Sequence, residues 1–302
     1  MIFFGGYCSA GKTHMEGVLV AASRPTVRRR RLAELLVEFR EAAGKSVDEA
    51  AERIGCHRTK INRIENARLG ISLGELRDLL TFYGVEDPAQ VDAMVSLAQR
   101  SREPGWVQRA GLARPTYTDF IDYERTADYI RSYQSTLIAG LLQTPDYARE
   151  VIAATPAPLT QEKVDVLVEA RMKRQEVLAR SASPRLCVIE GEAALRLQVG
   201  GREVMRKQLE HLETMADHPS VEVQVIPDRA GAHAGLAGSF VLFAFPSLSF
   251  SDVVAVEHHT GTLYMETPDE TADYTLIFDS LRSSALSPGD SLDLIARVRQ
   301  EL

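Results

Sequence analysis

The chain has 302 residues, 45% of them hydrophobic, and a formal net charge of −7. That length suits two domains of ordinary size with real cores, and the absence of any run of about 18 apolar residues excludes a membrane-spanning helix. Cys8, Cys56 and Cys187 lie far apart with no CxxC spacing, which excludes a disulfide framework and a cysteine zinc site and points to a reducing cytoplasm.

The charge is unevenly placed. Residues 24–68 hold 12 Lys/Arg against 7 Asp/Glu, whereas residues 69–302 hold 22 against 34. A basic N-terminal module on an acidic body is the asymmetry expected of a DNA reader joined to a sensor or partner-binding domain.

Residues 1–23 read as a disordered tail, or as the product of a start assigned too early. Within them Gly6 to Thr13, GYCSAGKT, matches a phosphate-loop pattern in which Lys12 and Thr13 would serve phosphates and magnesium. A parallel sheet should surround such a loop, yet a basic arm and a helical module follow, so the match is set aside. The arm is RPTVRRRR (24–31), with Arg28, Arg29, Arg30 and Arg31 expected along DNA phosphates.

Leu32 to Ala43 has apolar residues at helical spacing, and Gly44 ends that helix. Ser46 then opens SVDEAAERIGCHRTKINRIEN, with Glu49 placed for a capping box. Ala51 is small where two helices must cross, Gly55 sits in the turn, and Ile54, Ile61 and Ile64 face inward. The opposite face of the second helix offers Arg58, Thr59, Asn62 and Arg63 to base edges in a major groove, with Lys60 at its side. His57, Asn66 and Arg68 are placed for backbone phosphates.

This stretch resembles the Cro/phage-repressor, or xenobiotic-response-element, class of helix-turn-helix; HRTKINRIEN is similar to that class's recognition helix. The resemblance implies a compact all-α domain of five helices, and it implies that Arg40 and Glu65 form a structural ion pair. Val47 departs from the class, which often has Gln there to hold a phosphate. Lys45 or Arg28 to Arg31 would then supply that contact. Ser72-Leu-Gly-Glu75 caps a helix to Tyr83, and Asp87-Pro88 starts a fifth, so the DNA-binding domain spans 24–102.

Residues 103–123 read as a linker, in which Tyr117, Phe120 and Tyr123 are packing residues. From 124 to 302 the patterns give an α+β domain with a mostly antiparallel or mixed sheet. ADYIRSYQSTLIAGLLQTPDYAREVI reads as two helices, with Thr144-Pro145 a cap. RLCVIE, VEVQVIP, GSFVLFAF, DVVAVEH and TLYMET read as strands, and helices are expected over 160–180, 202–217, from Thr267 to about Leu286 and over 289–301. IRSYQSTLIAGLLQTPDYAR, VIEGEAALR and VQVIPDRAGAHAGLAGSF resemble the actinobacterial antitoxin-like transcriptional regulator family, which implies a small partner protein encoded next door.

Glu257-His258-His259 and His233 suggest no metal site, because adjacent strand residues point to opposite faces. Residues 229–238, RAGAHAGLAG, read as a flexible loop between strands that can cover a ligand pocket. Glu190 and Glu192 read as local acids, and no catalytic set can be defended. The expectation is a cytoplasmic, non-enzymatic transcriptional regulator without cofactor, homodimeric on a double-stranded DNA operator.

Overall fold

The computed structural model describes residues 27–100, 115–155, 159–245, 252–258 and 261–302. The chain divides into two compact units, the first reaching Tyr123 and the second continuing from Glu124.

The first unit opens on α1 (Val27–Ala42), α2 (Val47–Arg53), α3 (Arg58–Glu65), α4 (Leu73–Phe82) and α5 (Pro88–Arg100). Each brings one apolar stripe to a shared core: Leu32, Leu35 and Leu36 from α1, Ile61 and Ile64 from α3, Leu76, Leu79 and Leu80 from α4, Met94, Val95, Leu97 and Ala98 from α5. Caps set the boundaries. Gly44 takes φ +65° just after α1, and Ser46 and Ser72 each close a reciprocal capping box with Glu49 and Glu75.

Two expectations for this unit change. Arg28 to Arg31 of the basic arm form the first turns of α1, which therefore begins before Leu32, since nothing in VRRRR opposes a helix and the apolar stripe behind it propagates one. Part of the expected linker is also a helix, α6 (Pro115–Thr126), with Phe120, Ile121 and Tyr123 buried. Tyr117's side chain and the phosphate-loop match lie outside what the structure describes.

The second unit is a six-stranded sheet in the order β3-β2-β1-β4-β5-β6. The strands are β1 (Tyr129–Gln134), β2 (Arg185–Gly191), β3 (Val221–Ile226), β4 (Phe240–Ala244), β5 (Val253–His258) and β6 (Gly261–Met265). β1, β2 and β3 pair parallel, while β4, β5 and β6 add antiparallel on the other side of β1. The sheet is therefore mixed. YIRSYQ, expected to be helical, is its central strand β1: Ile130 and Tyr133 are buried, and tertiary pairing on both edges overrides the local pattern.

Crossovers carry α7 (Pro145–Ala153) and α8 (Gln161–Gln175) between β1 and β2, and α9 (Glu192–Arg196) and α10 (Arg202–Ala216) between β2 and β3. α11 (Pro268–Ser284) lays Phe278 and Leu281 on the sheet face formed by Tyr133, Cys187, Ile189, Phe240, Leu242 and Val254. α12 (Pro288–Glu301) closes the β3 edge, where Ser291 Oγ takes the N–H of Val225 at 3.0 Å.

The turn after β1 has no ladder partner, so side chains satisfy its backbone. Gln143 Nε2 donates to Ile138 O, and Gln208 Nε2 donates to Leu142 O, each at 2.7 Å. Arg171 Nη1 holds Gln143 Oε1 at 2.7 Å. Beside it, Arg174 forks onto Glu124 at 2.8 and 2.6 Å, both side chains buried. Among the described residues no helix is long and apolar enough to cross a membrane.

Candidate nucleic-acid interface

α2 and α3 are held at a fixed angle by local chemistry. Gly55 takes φ +64° in the turn, a conformation that a side chain would make costly. Ala50 and Ala51 are buried where the helices cross, and Ile61 and Ile64 anchor α3 from beneath. His57 caps α3: its Nδ1 accepts from the N–H of Thr59 at 3.3 Å and lies 2.8 Å from Thr59 Oγ1. At the far end Asn66 Nδ2 donates to Asn62 O at 2.7 Å, and Ala67 turns the chain with φ +56°.

This scaffold leaves Arg58, Thr59 and Arg63 exposed on one side of α3, with Asn62 half-buried between them. Among the described residues Arg58 has a loose partner in Asp48 at 3.4 Å, both well exposed, and such a pair is readily exchanged for another acceptor. His57, Asn66 and Arg68 are exposed around the same helix. The four residues expected to read bases therefore share one accessible face.

Other expected contacts are committed elsewhere. Lys60 is bound by Glu75 at the start of α4, which holds its ammonium above the ordinary range. Lys45 lies over the ring of Phe82, 4.8 Å from its centroid. Arg28 is buried, Arg30 is paired with Asp119 of α6 at 3.0 Å, and Arg31 reaches Glu34 at 3.4 Å and Glu38 at 3.5 Å. Arg29 is half-buried in the same turns. Arg28, Arg30 and Lys60 are thus engaged within the unit, whereas the surface pairs of Arg31 are as loose as that of Arg58 with Asp48. Val47 is half-buried and packs against the core.

Arg40 and Glu65 form the fork implied by the resemblance, with Nε to Oε1 at 2.7 Å and Nη2 to Oε2 at 3.2 Å. Arg40 Nη1 also takes Lys45 O at 3.0 Å, so one side chain ties α1, the α1–α2 turn and the end of α3. The bond to Glu65 raises the Arg40 pKa further, and burial raises that of neighbouring Tyr83 to about 12.

A helix-turn-helix domain model matches residues 31–94. The model of a domain of unknown function (DUF5753) matches residues 117–297, more than half of the chain. The chain belongs to the DUF5753 family. Its helix-turn-helix domain makes it a DNA-binding regulator. The comparisons with curated proteins and with solved structures returned no match.

In the DUF5753 unit one residue has a different character from its sequence reading. Glu190 is not a solvated local acid: it closes β2 with no exposed surface. The signal is the single charge ending the run LCVI, where both neighbouring strands cover it. His233 caps a short 3₁₀ turn, its Nδ1 accepting from the N–H of Gly235 at 3.1 Å.

Proposed function

We propose that the protein is a sequence-specific transcriptional regulator. It binds a near-palindromic operator as a homodimer, with the two α3 helices in successive major grooves about 34 Å apart. Arg58, Thr59, Asn62 and Arg63 read base edges, and His57, Asn66 and Arg68 contact phosphates. The observation that carries this reading is the exposed polar face of α3 above buried Ile61 and Ile64. The unit from Glu124 onward takes a ligand and changes DNA affinity, and the reading assigns the protein no catalytic step and a cytoplasmic location. The resemblance to antitoxin-like regulators offers a small partner protein as the alternative input, which co-purification with the neighbouring gene's product distinguishes.

Binding-site selection with the purified protein defines the operator. Arg58→Ala then costs about 1–3 kcal/mol of affinity and relaxes preference at one base pair per half-site. If the variant titrates the selected operator like the parent at fixed salt, α3 is not the reading helix.

A further inference from the structure

Glu190 is a fully buried ionisable side chain of the second unit with one oxygen left unsatisfied. Its Oε1 accepts from the N–H of Ala139 at 2.8 Å, while Oε2 has no hydrogen-bond partner. It enters no ion pair among the described residues. A buried carboxyl left in this state costs folding free energy, so its retention calls for an explanation.

Its position supplies one. Glu190 stands at the carboxyl end of β2, beside the end of β1, where the sheet changes from parallel to antiparallel pairing. The strand order also reverses about β1, with β2 and β3 on one side and β4 on the other, and in open α/β sheets ligands collect outside the carboxyl ends of the strands at such a switch point. The segment 227–239 must cross this end, because it leaves β3 and enters β4 with β2 and β1 between them.

That segment is anchored on both sides of Glu190. Asp228 N–H donates to Glu192 Oε2 at 2.9 Å, and Ser135 N–H donates to Ser239 Oγ at 3.0 Å. At its middle Gly235 lies flat on Tyr133, and the His233 ring meets the same tyrosine edge-on at 6.0 Å. Tyr133 of β1 and Tyr147 of α7 both feel the Glu190 charge.

We propose that the carboxyl ends of β1 and β2, beneath residues 227–239, bind a small ligand bearing a protonated amine, with Glu190 as its anchor. An ammonium brings the donors that Oε2 lacks and the charge that a buried carboxylate requires. Tyrosine rings around a carboxylate favour a cation over an anion. Burial pushes the empty site's Glu190 up to about 8, so at pH 7 the carboxyl holds its proton until the amine arrives. Binding then replaces O–H by an ammonium–carboxylate pair, and the proton goes to buffer.

This deepens the sensor reading and rests on it only for the effect on DNA. The full chain is titrated calorimetrically with n-butylamine, n-butanol and butyrate at pH 7, in phosphate and in Tris. The expected result is binding of butylamine alone, with release of up to one proton per chain, and at least about a tenfold loss in Glu190→Gln. Gln keeps the acceptor for Ala139, and a single cooperative melting transition shows that the variant is folded. The proposal is overturned if butylamine does not bind, if butanol binds as tightly, or if Glu190→Gln binds like the parent. Operator affinity is measured separately with and without butylamine. An amine that binds and leaves DNA affinity unchanged supports the site and sinks the sensor reading.

Discussion

Arg40 shows how one side chain can carry the geometry of the whole reading head. Its guanidinium is mostly buried and satisfies both Glu65 oxygens as well as a turn carbonyl. Arg40→Ala leaves Glu65 nearly buried without its cation, a loss of about 3 kcal/mol. Replacing both residues by methionine should cost much less, and thermal unfolding of the two variants checks the order. Glu190 makes a second residue-level prediction. The unfolded chain gives up this proton near 4.5, whereas the folded chain keeps it to about 8. The folded state therefore binds more protons across that window, and stability falls by a few kcal/mol as pH rises through it. Denaturant titrations at pH 5 and pH 8 should show the decline in the parent and a flatter profile in Glu190→Gln.

Among the elements, the segment between β3 and β4 is the loop between strands that its sequence suggests, but an ordered one. RAGAHAGLAG looks flexible by composition, yet its 3₁₀ turns are hydrogen-bonded and Gly235 is buried against Tyr133. A Cβ on Gly235 would fall 2.4 Å from the tyrosine ring. Gly235→Ala should therefore destabilise the protein by about 1–3 kcal/mol, seen as a lower melting temperature with DNA affinity intact. The legible parts of the fold were those with local causes. Ser46, Ser72, Thr144 and Thr267 announced their helices because capping is a contact over three residues. The α3 face was legible for the same reason, since a helix's two sides follow from spacing alone. β1 was not, because its strand state comes from Arg185–Glu190 and Phe240–Ala244, far along the chain. Nor were the commitments of Arg30 and Lys60, whose acids Asp119 and Glu75 lie 89 and 15 residues away.

For the whole molecule, the charge division sets how DNA binding responds to salt. With Arg28, Arg30 and Lys60 engaged inside the first unit, the proposed function relies on His57, Asn66 and Arg68 for phosphate contacts. Arg68→Ala should then lower the slope of log affinity against log salt by about 0.9 per chain, equally on operator and random DNA. Arg30→Ala should leave that slope near the parental value and lower the melting temperature through Asp119. Titrations at several salt concentrations separate the two. If Arg30→Ala flattens the slope as Arg68→Ala does, the α1 pairing opens on DNA.

The position of β1 in the sheet also has a consequence for synthesis. Among the described residues it is the first strand made, and it lies inside the sheet, yet Tyr133 meets Ile189 and Phe240, residues the ribosome has yet to add. For that interval β1 has two open edges on a nascent chain. A continuous apolar strand would be an aggregation hazard in this position. YIRSYQ interleaves Arg131, Ser132 and Gln134 with its apolar residues, and Gln134 Nε2 bonds Ser132 Oγ at 3.0 Å in the finished sheet. The polarity that disguised this strand in the sequence is what lets it wait for its neighbours.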